Sequence, residues 1–236
     1  MSDFEPSPTG ADPRARMLAA AGPVFARRGF DRATVREICG LAGVNVAAVA
    51  YYFGDKLGLY REVFRQIRQR CQDDVLDTSA IAGDPRLALY LQIRHLLSRV
   101  LARDDSGWES QLMMREMNQP TAVFDEMVQE SIRPQFERLI ETLSLLSPPA
   151  TPLPVLERLV LSLVGQCLYY RIGAGVVKRL IPADRMASDF DIDSLAKHIT
   201  AVTLAAAENG LVLEHHASLG RLADDLTQAH SSDLKP

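Results

Sequence analysis

Apolar residues recur three and four apart along nearly the whole chain, and no stretch longer than a few residues alternates apolar with polar. That period lays one apolar stripe on a helix and argues against strands. From Pro13 to Arg28 the stripe is Met17, Leu18, Ala21, Val24 and Phe25, with Gly29 placed to end the helix. Pro23 lies inside the run, where a proline either kinks a helix or stops it early. Thr34-Val35-Arg36-Glu37 reads as a capping box: the Thr34 hydroxyl accepts from the Glu37 N–H, and the Glu37 side chain returns to the Thr34 N–H. The helix it opens carries Val35, Ile38, Leu41 and Ala42 on one face and stops at Gly43. Asn45 then caps a short helix, Val46 to Phe53, whose inward residues are Val46, Val49 and Phe53. Gly54 and Asp55 end that helix and cap a longer one running from Lys56 to about Asp74.

Past Asp77 the helical period continues. Pro85 opens a run through Leu87, Leu91, Leu96 and Val100, and Gly107-Trp108 opens another through Met117. Thr121 to Leu146 is a third, interrupted at Pro134. Ser147 to Pro154 is a proline-rich break, followed by apolar helices over Val155–Gly173 and Ile192–Glu208. The fold class is therefore all-α. Residues 1–11 read as a flexible arm and residues 211–236 as a polar tail.

Composition narrows the function. The 236 residues hold 26 Lys+Arg and 30 Asp+Glu, for a net charge of −4, but the distribution is uneven. Residues 12–72 carry 11 basic and 5 acidic side chains, while the remainder is acidic. One end is thus built to meet a polyanion. No window approaches the apolar length a transmembrane helix needs, and Met1 to Pro13 is acidic and polar, unlike a signal peptide. Cys39, Cys71 and Cys167 are odd in number and scattered, which argues against a disulfide framework or a zinc site. The expectation is a cytoplasmic protein.

Two short helices joined across Gly43, inside the basic segment, form a helix-turn-helix. The outward side of Asn45–Tyr52 then enters a DNA major groove. Asn45 can pair with a base edge or a phosphate, and Val46 and Ala47 can meet a thymine methyl. Tyr51, Tyr52 and Lys56 suit phosphates, as do the backbone N–H groups at Thr34. Each has a plainer role open to it. The tyrosines can be half-buried packing residues, Asn45 only a cap and Lys56 only a solvated charge.

The stretch Arg14–Tyr60 resembles the DNA-binding domain of TetR-family transcriptional regulators. The resemblance rests on Phe25, Gly29-Phe30, Thr34, Ile38, Ala42-Gly43-Val44, Tyr51-Tyr52-Phe53, Lys56 and Leu59-Tyr60 in that order. It implies that Thr34, Asn45, Val46, Ala47, Tyr51, Tyr52 and Lys56 line the DNA face. The alanines of the recognition helix leave few side chains for direct reading, which favours readout of DNA shape. Met113-Met114-Arg115-Glu116, Pro120, Phe124 and Gly165 to Arg171 are similar to the subgroup with a CecR-type C-terminal domain. That likeness implies a helical domain that holds a small-molecule effector and dimerises through its last two long helices. These would be Val155–Gly173 and Ile192–Glu208, packed with their symmetry mates.

The domains expected are a DNA-binding domain over 12–60 and an effector-binding and dimerisation domain over 61–210, with the long helix from Lys56 as the transmission element. Candidate pocket walls are Trp108, Met113, Met117, Phe124, Met127 and Tyr170, with Arg115, Glu116 and Gln166 as polar anchors. The same Met and aromatic stripe also suits an ordinary core.

No nucleotide-binding glycine motif, zinc-protease motif or nucleophile elbow is present. Asp189, Asp191 and Asp193 alternate like a calcium loop, but Ser194 stands where the loop needs glycine. His95 has no neighbouring ligand in sequence, and His215-His216 cannot share one helical face. The expectation is no catalytic residue, cofactor or metal, and no membrane partner. The partners expected are a palindromic double-stranded DNA operator, a second copy of the chain and an unknown effector. The main reading is a repressor released from its operator by a small molecule. An activator or ligand-insensitive regulator, and a helical scaffold that does not bind DNA, stand as alternatives.

Overall fold

Asp12 caps the first helix, α1 (Pro13–Arg32), by accepting from the Arg14 N–H, and Pro13 loses nothing there because a first-turn N–H has no helical partner. Pro23 sits inside α1 without ending it. The non-helical residue is Gly29, at φ 77°, a conformation that favours glycine. The computed structural model describes residues 12–73, 83–101 and 107–208, with side chains described to residue 70 in the first stretch. The N-terminal arm and the C-terminal tail lie outside it.

The remaining helices are α2 (Val35–Ala42), α3 (Ala47–Phe53), α4 (Lys56–Asp73), α5 (Pro85–Val100), α6 (Gly107–Asn118) and α7 (Phe124–Met127). After α7 come α8 (Arg133–Leu146), α9 (Leu153–Ile172), α10 (Ala174–Leu180), α11 (Ala183–Asp189) and α12 (Ile192–Glu208). Among the described residues there is no strand. Between α7 and α8 the chain widens into a π turn, Val128–Ile132, in which the Arg133 N–H reaches the Val128 carbonyl. This is where Pro134 removes a helical donor, so the interruption read in the sequence is a local unwinding and not a gap. The α10 and α11 helices had no counterpart in the sequence reading; each is only seven residues long.

The chain forms two compact units, and they do not follow the linear division at residue 60. Of the described residues, the first comprises 12–73 together with 107–133, and the second comprises 83–101 together with 134–208. In the first unit, Met17, Leu18, Ala21, Val24 and Phe25 of α1 pack with Ile38 of α2, Val49 of α3, Leu59, Tyr60 and Val63 of α4, and Leu112 of α6. Helix α6 lies along α1, and the Trp108 indole fills the space left by Gly22: a Cβ there would stand 2.4 Å from the ring. Small opposite large lets the two backbones approach.

In the second unit α12 packs on α5, and α9 packs on both. The buried residues of α5 are Leu89, Ile93 and Leu97, a different row from the Leu87, Leu91, Leu96, Val100 run picked out by spacing; Leu87 is exposed. Thr200 and Thr203 are buried on α12 because their hydroxyls donate to the carbonyls of Ala196 (2.6 Å) and Ile199 (2.7 Å). Asp191 accepts from the Ser194 N–H at 2.9 Å and from its hydroxyl at 2.9 Å, so it acts as a cap on α12. No single helix among the described residues is long and apolar enough to cross a membrane.

Candidate nucleic-acid interface

Three local devices set the recognition helix. Thr34 caps α2, its hydroxyl accepting from the Glu37 N–H at 3.1 Å. The return half of the capping box is not made: the Glu37 carboxylate takes Arg28 Nε at 2.8 Å instead. A charged partner on α1 offers a stronger bond than a backbone amide, and it ties α2 to α1. Gly43 ends α2 at φ 63°, the left-handed conformation that turns the chain toward α3. Asn45 Oδ1 then accepts from the Ala47 N–H at 2.9 Å, which caps α3 and leaves the Asn45 amide NH2 free to donate.

Helix α3 has one buried residue, Val49, with Ala48 and Phe53 half-buried against the core. Asn45, Val46, Ala47, Ala50 and Tyr51 are all exposed. Val46 is 48% exposed, so the expectation that it turns inward is corrected: it is the N-cap of α3, ahead of its first turn, and Val49 alone is buried there. Tyr51 is 82% exposed and stacks edge-on against Tyr52, ring centroids 4.8 Å apart. An aromatic ring held in water next to a valine and alanines is an apolar and hydrogen-bonding surface without an internal partner. Asp55 caps α4 by accepting from the Gly58 N–H at 2.7 Å. Lys56 is half-buried; its ammonium lies 3.3 Å from the Ala33 carbonyl, 3.4 Å from that of Asp31 and 4.4 Å from the Phe30 ring centroid. It staples α4 to the link between α1 and α2 and retains one further donor.

Behind this face sits a buried polar network that the sequence reading missed. Glu116 on α6 is fully buried and accepts from the Tyr60 hydroxyl, the Thr121 N–H and the Thr121 hydroxyl, each at 2.8 Å. Burial, reinforced by the Glu116 hydrogen bond, pushes the Tyr60 phenol well above its ordinary range. Next to it, Arg115 donates to the carbonyls of Ala26 and Arg27, both at 3.2 Å. Both carbonyls lie just before the non-helical Gly29 of α1, and the guanidinium supplies them with donors.

The effector candidates divide between the two units. Trp108, Met113, Phe124 and Met127 belong to the core of the first, where Met127 is buried and the others are half-buried. Arg115 and Glu116 are used as described above, and Met117 is exposed. Gln166 and Tyr170 belong to α9 in the second unit. Tyr170 packs edge-on against Phe190 at 6.5 Å between centroids, and Gln166 donates to the Ser162 carbonyl at 3.4 Å. An open depression of about 410 Å³ in the second unit is lined by Asp84, Pro85, Arg86, Leu145, Leu146 and Glu208, none of them among the candidates.

Comparison with known proteins gives a consistent set of likenesses. The profile of the bacterial regulatory proteins, tetR family, matches residues 17–63. The profile of the C-terminal domain of the HTH-type transcriptional dual regulator CecR matches residues 85–207. The chain is similar to CecR of Shigella flexneri, 27% identical over 180 residues, which covers 70% of this chain and 78% of the relative. Among solved structures, the hemolysin II transcriptional regulator HlyIIR superposes with a TM-score of 0.57 at 18% identity, covering 84% of this chain and 97% of that one. The fatty acid degradation regulator FadR from Bacillus halodurans gives 0.60 at 16% identity, over 80% and 97%.

Proposed function

Because the chain belongs to the TetR family of DNA-binding transcriptional regulators, with a CecR-type C-terminal domain, we propose that it acts as a homodimer on a palindromic operator and is released by a small molecule. The observation that carries the DNA half is the face of α3, where Asn45, Val46, Ala47 and Tyr51 are exposed while Val49 anchors the helix from behind. In this reading Asn45, Val46 and Ala47 meet base edges, and Thr34, Tyr51, Tyr52 and Lys56 meet the backbone. A two-fold pair of such helices requires a two-fold site.

The surface of α9 supports dimerisation. Leu161, Tyr169 and Ile172 are all exposed at spacings of eight and three residues, so they share one helical face. Val202 is exposed on α12, beside Ala201. Two such faces meeting their symmetry mates bury this apolar surface in a four-helix bundle. For release, the effector must bind the non-DNA-binding arrangement more tightly; a factor of about 100 corresponds to about 2.7 kcal/mol of coupling. The Tyr60–Glu116 bond ties α4 to α6, so a displacement of either is felt by the other. Repression by operator occupancy is the primary reading. The likeness to the Shigella flexneri dual regulator favours activation at some sites as a second one.

The test is selection of genomic DNA fragments by the purified protein at near-physiological salt. Recovery of one palindromic motif supports the reading; recovery of fragments sharing no motif refutes a specific operator.

A further inference from the structure

The basic side chains of residues 12–70 are not equivalent once their partners are known. Arg14 and Arg65 both pair with Glu62, Arg28 with Glu37, Arg61 with Glu126, Arg68 with Glu130 and Arg70 with Glu109. Lys56 rests on two carbonyls and an aromatic ring. Much of the positive excess read from the sequence is thus compensated inside the unit. Arg27, Arg32 and Arg36 are exposed and solvated. Arg16 is different: it is half-buried, and its Nε is out of contact with solvent and has no hydrogen-bond partner. Its Nη1 lies 3.7 Å from where a Cβ on Gly43 would stand, at the turn that leads into Asn45.

That Nε is shielded by the protein itself, so an outside acceptor can be taken only by the Nη groups of this half-buried guanidinium. Nη1 lies beside the Gly43 turn that leads into α3, where a duplex entered by α3 would bring phosphate oxygens. The side chain is half-buried beside that turn, so less rotamer entropy remains to be lost on contact. We propose that Arg16 is a DNA-backbone contact, its guanidinium held at the α2–α3 turn to take a phosphate oxygen beside the groove that α3 enters. This rests on the DNA face proposed above and adds a residue of α1 to it. The contact positions the recognition helix and carries no base preference.

The experiment compares the wild type with Arg16→Met, Arg16→Lys and Arg65→Met. Methionine keeps much of the stem without the charge, lysine keeps the charge, and Arg65 is already paired. Affinity is measured for a duplex of roughly 40 base pairs from the genomic selection and for a scrambled duplex, from about 50 to about 200 mM KCl. The slope of log affinity against log salt should be shallower for Arg16→Met by about 0.9 per subunit, or about 1.8 for a two-fold pair. Over that fourfold range the deficit relative to wild type then shrinks roughly 12-fold. Arg16→Lys should keep the wild-type slope, as should Arg65→Met. An unchanged slope in Arg16→Met, with binding weakened equally at every salt and a lowered thermal midpoint, makes Arg16 a packing residue and overturns the proposal. If the wild type itself shows no salt-dependent binding to either duplex, the DNA face falls with it, which is a distinguishable failure.

Discussion

Gly22 gives a case in which helix propensity and packing predict opposite signs. Glycine inside a helix is about 1 kcal/mol less favourable than alanine, so Gly22→Ala, judged on α1 alone, stabilises. In the fold, the added Cβ stands 2.4 Å from Cη2 and Cζ3 of Trp108 and 2.8 Å from Cζ2. Carbon atoms rest about 3.5–4.0 Å apart, so the indole or the α1–α6 spacing must move by about 1 Å or more. Overpacking of this kind costs about 1–3 kcal/mol, which exceeds or cancels the propensity gain. The net expectation is a destabilisation of up to about 2 kcal/mol. Trp108 is the single tryptophan, so its emission reports directly on the contact. Urea unfolding followed by fluorescence and by far-UV circular dichroism should show a lower midpoint. The native emission maximum should also be shifted. Adding Trp108→Leu to Gly22→Ala should recover part of the loss, because the two changes act on one contact and so do not add. A Gly22→Ala variant that is more stable than wild type, with unchanged emission, would falsify the packing argument.

Three other perturbations check separate parts of the account. Tyr51→Ala removes a side chain that is almost wholly in solvent, so the thermal midpoint should hold. Operator affinity should fall by about 1 kcal/mol per subunit, roughly 30-fold for a dimer, in a mobility-shift titration; unchanged affinity removes Tyr51 from the DNA face. The raised pKa of Tyr60 has a definite sign: the folded state holds the phenolic proton more tightly than the unfolded chain. Its stabilisation is complete below its ordinary value of 10.0 and is lost as pH rises above that toward the folded value. Urea midpoints on both sides of that pH should therefore fall less steeply in Tyr60→Phe than in wild type, and equal slopes would contradict the burial of this pair. Leu161→Glu places a charge on the exposed face of α9 without entering the core. Sedimentation should show a dimer for the wild type and a monomer for the variant. A variant that stays dimeric moves the interface away from α9.

Several features of the site are legible in the sequence because they depend on neighbours in the chain. Thr34 caps α2, Gly43 turns left-handed, Asn45 caps α3 and Asp55 caps α4 through contacts no more than three residues away. The bounds of α12 coincide with those read from its period, Ile192–Glu208. Val46 was the local misreading, since a residue beside a helix start does not follow the helix's own period. Helix α5 is apolar on more than one side, so spacing alone could not choose the Leu89, Ile93, Leu97 row over its neighbours.

Chain order and side-chain chemistry were enough for the all-α class, the helix-turn-helix and the surplus of positive charge around it. Packing between distant segments decided the rest. It placed α6 beside α1 in the first unit, left Glu116 as a buried acceptor for Tyr60, and put Arg115 over the carbonyls of Ala26 and Arg27 in α1. It also separated paired arginines from Arg16. Helix periodicity specifies which residues share a face, but a face can be covered by any complementary surface. A charge in the sequence likewise has one sign whether it meets a carboxylate, a carbonyl or nothing at all. Those partners are settled only when segments far apart in sequence are brought within a few ångströms.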